Sequence, residues 1–171
     1  MIITPFAASH DSAVDTLLDT CFGPARGRRT AALLRHGAKR RDDLSFVAHV
    51  DGALAGAIQL WPLNLVGEGR HHRILLLGPL VSAPAHRNRG IGGALMDTAL
   101  AAADATGERA ILLIGDAPYY ARWGFSAART AHWSLPGPVD RARLLLRAPD
   151  LPPLPRIAAL APAVSPRARA A

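Results

Sequence analysis

The sequence predicts an α/β chain of the α+β type, with a mixed, mainly antiparallel central sheet flanked by helices. Three observations predict it. Asp51-Gly52 lies between two apolar runs and is a turn dipeptide of the kind that joins adjacent antiparallel strands. Residues 72–81 and 110–114 are nearly continuous apolar runs, as strands buried on both faces are. Between them, residues 90–105 carry helical periodicity, and a helix that joins two strands of one sheet makes that pair parallel.

The elements follow in order. Ile2 and Ile3 open a short strand. Residues 10–22 read as a helix that Asp11 or Ser12 can cap. Val14, Leu17, Leu18 and Cys21 share one face of it, and Gly23-Pro24 ends it. A second, Arg-rich helix covers residues 29–35 and stops at Gly37. Residues 44–50 and 54–60 are the arms of the Asp51-Gly52 hairpin. Trp61-Pro62 weakens the second arm, because proline has no N–H for the ladder. Gly67-Glu68-Gly69-Arg70 is a polar loop. Gly78-Pro79 falls inside the 72–81 strand, which should bulge or splay there. In the 90–105 helix, Ile91, Ala94, Leu95, Thr98 and Ala102 line one side. After the 110–114 strand comes a short helix at 119–122. Trp123-Gly124-Phe125 then turns back toward the sheet, and residues 144–146 form a last strand. From Ala148 the composition shifts. Six prolines from Pro149 to Pro166 suggest a tail, extended or partly draped over a domain of residues 1–147. Pro152-Pro153-Leu154-Pro155-Arg156 resembles a polyproline ligand, but a plain tail is the weightier reading.

Composition narrows the function classes. At 171 residues the chain has room for one domain with a proper core, and 50% hydrophobic content argues against disorder. The formal charge is +7, and Lys39 is the only lysine. That balance suits a polyanionic partner, nucleic acid or a phosphorylated cofactor, or else an Arg-rich solvated surface. No helix-turn-helix, zinc or aromatic-platform pattern supports specific nucleic-acid binding. Cys21 is the only cysteine. It rules out an internal disulfide, fits a reducing compartment, and reads as a buried structural thiol. No signal-peptide pattern opens the sequence, and the apolar run 74–81 is too short to span a bilayer. The expected location is cytoplasmic, without membrane association. His71-His72 lacks a third ligand at suitable spacing, so no metal is expected.

The chemistry centres on Arg87-Asn88-Arg89-Gly90-Ile91-Gly92-Gly93. A strand that runs into a basic, glycine-rich loop opening a helix is an anion site. The first helical N–H groups lack intrahelical partners, and the helix dipole adds positive charge. Gly90, Gly92 and Gly93 allow a phosphate close to the backbone. The dinucleotide pattern fails, because Leu95 stands where its third glycine should be. The nucleoside-triphosphate loop fails too, for want of Gly-Lys-Ser/Thr.

Leu80-Val81-x-x-Pro84-x-x-Arg87-x-x-Gly90-Ile91-Gly92-x-x-Leu95 resembles the acetyl-CoA motif of the GNAT superfamily of N-acetyltransferases. Downstream, Tyr119-Tyr120-Ala121-Arg122-Trp123-Gly124-Phe125 is similar to that family's Tyr-x-Lys-x-Gly-Phe segment. The matched stretch runs over residues 76–125, and the resemblance extends over about residues 1–147. The Gly115-Asp116-Ala117-Pro118-Tyr119-Tyr120 form looks like a small bacterial branch. The resemblance implies a GNAT-like fold with a splayed parallel strand pair. It also implies direct acetyl transfer from acetyl-CoA to a small-molecule or peptide amine, with no metal. Leu80 and Val81 would pair with the pantetheine arm, and the residues from Arg87 to Gly93 would hold the pyrophosphate. By register with Gly124, Tyr120 would be the acid that protonates the thiolate, with Tyr119 in reserve and expected to pack in the core. Many relatives carry a carboxylate base on the strand at residues 74–77, where this chain has none. Glu68, His72 and Asp116 remain, each weighed more heavily as structural or solvent-facing. Trp61, Trp123 and Trp133 could line an acceptor pocket or pack in the core. A non-catalytic acyl-CoA sensor is the alternative function, and a homodimer stays open.

Overall fold

The computed structural model describes residues 1–149 and 154–164. Its strands are β1 (Ile2–Pro5), β2 (Phe46–Val50), β3 (Ala53–Gly67), β4 (Arg70–Ser82), β5 (Ile111–Ile114), β6 (Trp133–Ser134), β7 (Leu144–Arg147) and β8 (Ala158–Pro162). Its helices are α1 (Asp11–Phe22), α2 (Thr30–Leu33), α3 (Ile91–Ala105) and α4 (Ala117–Tyr120), with short 3-10 turns among them. Hydrogen bonding orders the strands β1-β2-β3-β4-β5-β7, with β8 against both β3 and β6.

Local chemistry explains the pairing. Asp51 and Gly52 take φ of 52° and 81°, the left-handed pair that a tight hairpin requires, and β2 and β3 pair antiparallel from Phe46↔Ile58 to Val50↔Ala53. Glu68 and Gly69 repeat the device, with φ of 51° and 70°, so the expected polar loop is a two-residue turn from β3 into β4. The crossover through α3 makes β4 and β5 parallel, with Leu75 opposite Ile111 and Leu76 opposite Leu112. β1–β2, β3–β8 and β5–β7 are antiparallel. A second parallel pairing, β6 with β8, had no signal in the sequence.

The chain divides into two compact units. The first comprises Met1–Gly27, Arg40–Leu60 and Leu77–Gly107, and the second Arg28–Lys39, Trp61–Leu76 and Glu108–Ala171. In the first, Phe6, Val14, Leu18, Val47, Ala57 and Val81 form a core. Its rim is locked by Arg40, which bonds Asp11 at 2.7 Å and Asp42 at 2.6 Å while its guanidinium lies 3.7 Å over the Phe6 ring. Gly56 sets the seat of α3. A Cβ there would fall 2.8 Å from Ile91 Cγ2 and 3.2 Å from Leu95 Cδ1, so only glycine lets α3 lie this close to β3. In the second unit, Leu63, Leu65, Ile74, Leu76, Leu112, Leu144 and Leu160 close around Trp133, which is 1% exposed.

Several expectations need correction. β3 does not end at Leu60. Its ladder with β2 ends at Ile58, and that with β8 begins at Leu63, so Pro62 sits where that edge asks for no N–H. The second helix shrinks from residues 29–35 to the single turn of α2. Neither Asp11 nor Ser12 caps α1. His10 stands at its N-cap, and Nδ1 of His10 accepts from Ala7 N–H at 3.0 Å in the preceding turn. The buried face of α3 is Ile91, Leu95, Met96, Ala99, Leu100 and Ala103, rotated from the expected one. From Ala148 onward, the expected tail contributes β8. Pro155 is buried, and its carbonyl accepts from Trp133 Nε1 at 3.0 Å. Pro155 of the polyproline-like stretch is therefore packed rather than presented, while Pro152, Pro153 and Pro166 lie outside the described residues.

Candidate active site

The first unit carries the basic loop. After β4, a 3-10 turn at Pro84–His86 leads into Arg87, and Asn88 takes φ 61° and Gly90 φ 74°. Two left-handed residues within three turn the chain sharply into α3. Gly90 is its N-cap, and Ala94 N–H is the amide that bonds back to the Gly90 carbonyl. The amides of Ile91, Gly92 and Gly93 thus open the helix with no helical acceptor. A Cβ on Gly93 would meet nothing within 4 Å, so the protein's own packing does not demand glycine there. Arg87, Asn88, Arg89 and Gly90 are exposed, while Gly92 and Gly93 are half-buried. Arg89 reaches His86 Nδ1 at 3.3 Å. The other arginines of this unit are committed elsewhere: Arg26 to Asp15 and Asp19, Arg40 to Asp11 and Asp42, and Arg41 to Asp43. Among the described residues, Arg87 and Arg89 meet no carboxylate within salt-bridge distance. The loop therefore holds positive charge, helix-start amides and room at the backbone, the set an anion such as a pyrophosphate requires.

Leu80 and Val81 precede the loop on β4. The Val81 carbonyl turns toward Gly56 of β3, 2.8 Å from where a Cβ would stand. The N–H and C=O of one strand residue share an edge, and those of the next face the other way. Leu80, half-buried, therefore offers its backbone groups to the edge away from β3. Of the two candidates, Leu80 is the one available to a ligand as an added strand would be.

The second unit carries Tyr120. β5 ends at Ile114, and Gly115-Asp116 leads into α4, whose first N–H bonds run from Tyr119 and Tyr120 to the Asp116 carbonyl at 3.1 Å. The Tyr120 ring lies directly on Gly115. A Cβ there would collide with Cε2 and stand 2.8 Å from Cδ2. Tyr119, Trp123 and Phe125 surround the ring edge-on or tilted at 4.9, 6.2 and 6.1 Å. Burial first, and then Tyr119 and Asp116, push the Tyr120 phenol up to about 12, with Arg143 pulling the other way. Tyr119 is half-buried under Arg122, which lies 4.5 Å over its ring, so it does not pack in the core as expected.

The remaining candidates divide. Glu68 is exposed at its turn, and Oε1 accepts from Arg156 N–H at 3.3 Å, a structural tie. Asp116 is exposed at the α4 N-cap, and its side chain makes no capping bond. His72 is half-buried on β4. Trp133 is core, while Trp61 and Trp123 are half-buried. The Cys21 Sγ lies 3.7 Å from the Ser82 carbonyl. Sequence reasoning quoted Gly115 without giving it a role, and missed Arg143. Gly115 N–H donates to the Arg143 carbonyl at 2.9 Å, and Arg143 Nε donates to the Gly115 carbonyl at 3.4 Å. The two are 28 positions apart, and no local pattern joins them.

Comparison with known proteins adds an independent line. Residues 12–125 match the family model described as the acetyltransferase (GNAT) family. The chain is 29% identical over 104 residues to the uncharacterized N-acetyltransferase YjhQ of Escherichia coli (strain K12), a match that spans 61% of this chain and 58% of that protein. It resembles the crystal structure of a GNAT family acetyltransferase from Brucella melitensis in complex with acetyl-CoA, with a TM-score of 0.67 and 26% identity over 94% of each chain. It also shares the fold of the GNAT family N-acetyltransferase YhbS from Escherichia coli in complex with CoA, with a TM-score of 0.67 and 20% identity over 85% of this chain and 79% of that one.

Proposed function

Because the chain belongs to the acetyltransferase (GNAT) family, we propose that it is an N-acetyltransferase that moves the acetyl group of acetyl-CoA to an amine by direct attack. The observation that carries this reading is the loop from Arg87 to Gly93, whose unneutralised arginines and glycine-opened helix start suit a pyrophosphate. The Brucella melitensis relative, in complex with acetyl-CoA, supports the same donor.

Each group then has a task. Arg87, Arg89 and the amides of Ile91, Gly92 and Gly93 hold the pyrophosphate, and Asn88 shapes the turn. The backbone groups of Leu80 hold the pantetheine arm, and an amide on that edge can polarise the thioester carbonyl. Val81 anchors the strand through β3. Tyr120 gives its hydroxyl proton to the departing sulfur, for which a neutral phenol is the required form. Its raised pKa keeps it protonated throughout the neutral range. The acceptor is a small-molecule or peptide amine that loses its own proton to solvent. Release of free thiol from acetyl-CoA, measured against a broad set of amines, peptides and aminoglycosides, tests the reading. Acceptor-dependent release is expected. CoA binding with no release across the whole set would leave an acyl-CoA sensor instead.

A further inference from the structure

We propose that Gly115 and Arg143 are the positioning pair for Tyr120: glycine is the seat on which the phenol ring rests, and Arg143 fixes that seat. The inference rests on Tyr120 as the acid; it gives Gly115 a role and adds Arg143.

The seat follows from contact geometry. Any Cβ at residue 115 would collide with the Cδ2–Cε2 edge of the Tyr120 ring, and stand 2.9 Å from Leu113 Cδ1 as well. Gly115 itself has an ordinary backbone, because it is not among the positive-φ residues. Conformational freedom is therefore not why glycine stands there. Space for the ring is. The clamp follows from hydrogen bonding. β5 and β7 pair up to Ile114↔Leu144, and one step further Gly115 is held from both sides by Arg143, through the backbone at 2.9 Å and through Nε at 3.4 Å. A guanidinium tied down by its Nε keeps its terminal nitrogens oriented.

Charge near Tyr120 bears on its role as the acid. As the C–S bond breaks, the electron pair stays on sulfur and the Tyr120 proton moves to it, leaving a phenolate that solvent reprotonates. Tyr119 and Asp116 disfavour that anion, and Arg143 favours it. A buried acid with no such counter-charge would hold its proton too well to give it up.

The experiment exploits the two tyrosines of the chain. In Tyr119→Phe, Tyr120 is the sole tyrosine, and its ionisation is read alone by tyrosinate absorbance. The expected result is silence through the range around pH 10 in which a free phenol ionises. Adding Gly115→Ala should bring ionisation back into that range, since the ring must leave its seat. Unchanged silence in folded Gly115→Ala would overturn the seat. Arg143→Gln leaves the backbone bond in place and guards against a Gly115 variant that fails to fold. With an active amine, Arg143→Gln should lower kcat about tenfold, equivalent to one pKa unit, with KM unchanged, and Arg143→Lys should recover part of it. A kcat equal to wild type in Arg143→Gln would overturn the clamp. If Gly115→Ala shifts the titration while Tyr120→Phe keeps wild-type kcat, the acid reading fails and takes the catalytic half of this proposal with it.

Discussion

The two units treat arginine in opposite ways. The first has five arginines and eight aspartates, and Arg26, Arg40 and Arg41 are bound to carboxylates. Its overall balance is acidic, so the exposed Arg87 and Arg89 concentrate positive charge at one loop. The second has fourteen arginines and one lysine against five acidic residues. There Arg122, Arg129, Arg141 and Arg143 donate to backbone carbonyls. A carbonyl satisfies the donor without cancelling the charge, whereas a carboxylate does both. The net charge of +7 is thus the sum of an acidic unit with one exposed basic loop and a basic unit whose charge is spread out. Read as a single number, it pointed toward polyanion binding in general. Resolved by unit, it separates an exposed basic loop from the setting of a tyrosine.

The sharpest way to break this comparison is to remove the chemistry of the second unit and leave the first untouched. Tyr120→Phe should lower kcat by roughly 10²–10⁴-fold, the usual worth of a positioned acid, with the Kd for acetyl-CoA barely changed. Steady-state rates beside calorimetric affinities check both halves. The reciprocal change is Arg87→Ala, which should weaken CoA by roughly one to two orders of magnitude. Arg26→Ala, a change of equal charge at an ion-paired site of the same unit, should leave CoA affinity alone. Equal losses in both would mean that net charge matters rather than the loop.

Two smaller effects concern stability. Arg40→Ala removes two charged hydrogen bonds and a ring contact at a side chain that is 12% exposed, and should cost about 2 kcal/mol in denaturant unfolding. The pH limbs should differ as well. The folded Tyr120 phenol is raised to about 12 while the unfolded one ionises near 10. Its contribution is therefore complete below that lower value and is lost as pH rises toward the upper one, a slope that Tyr120→Phe should flatten. Asp43 runs the other way. Its hydrogen bond to Arg41 lowers its pKa, so its contribution is present in the neutral range and fades as pH falls through the folded value. Because Asp43 is exposed, Asp43→Asn should change the acid limb least of all.

Sequence and structure agree where the backbone feature is local. The basic loop from Arg87 that opens a helix at Gly90 was legible because a glycine-rich helix start needs only contiguous residues, and Asp51-Gly52 because a tight turn is a two-residue decision. The buried face of α3 was misjudged. Alanines surround that helix, and their small apolar side chains leave the periodicity nearly flat. β8 was read as tail because Ala158–Pro162 is alanine and proline rich. Its strand character comes from pairing with β3, where Leu65 stands opposite Leu160. Gly115 and Arg143 meet only through the β5–β7 ladder, so nothing in the linear sequence joined them.

The central claim is that the start of α3 holds the pyrophosphate of CoA, and calorimetric titration of CoA into the wild-type protein and Gly92→Val tests it most directly. A branched side chain at Gly92 would block approach to the helix-start amides, so the wild type should bind and a folded Gly92→Val, checked by its Tm, should not. Binding of equal affinity in the two proteins would contradict the account and move the cofactor away from this loop.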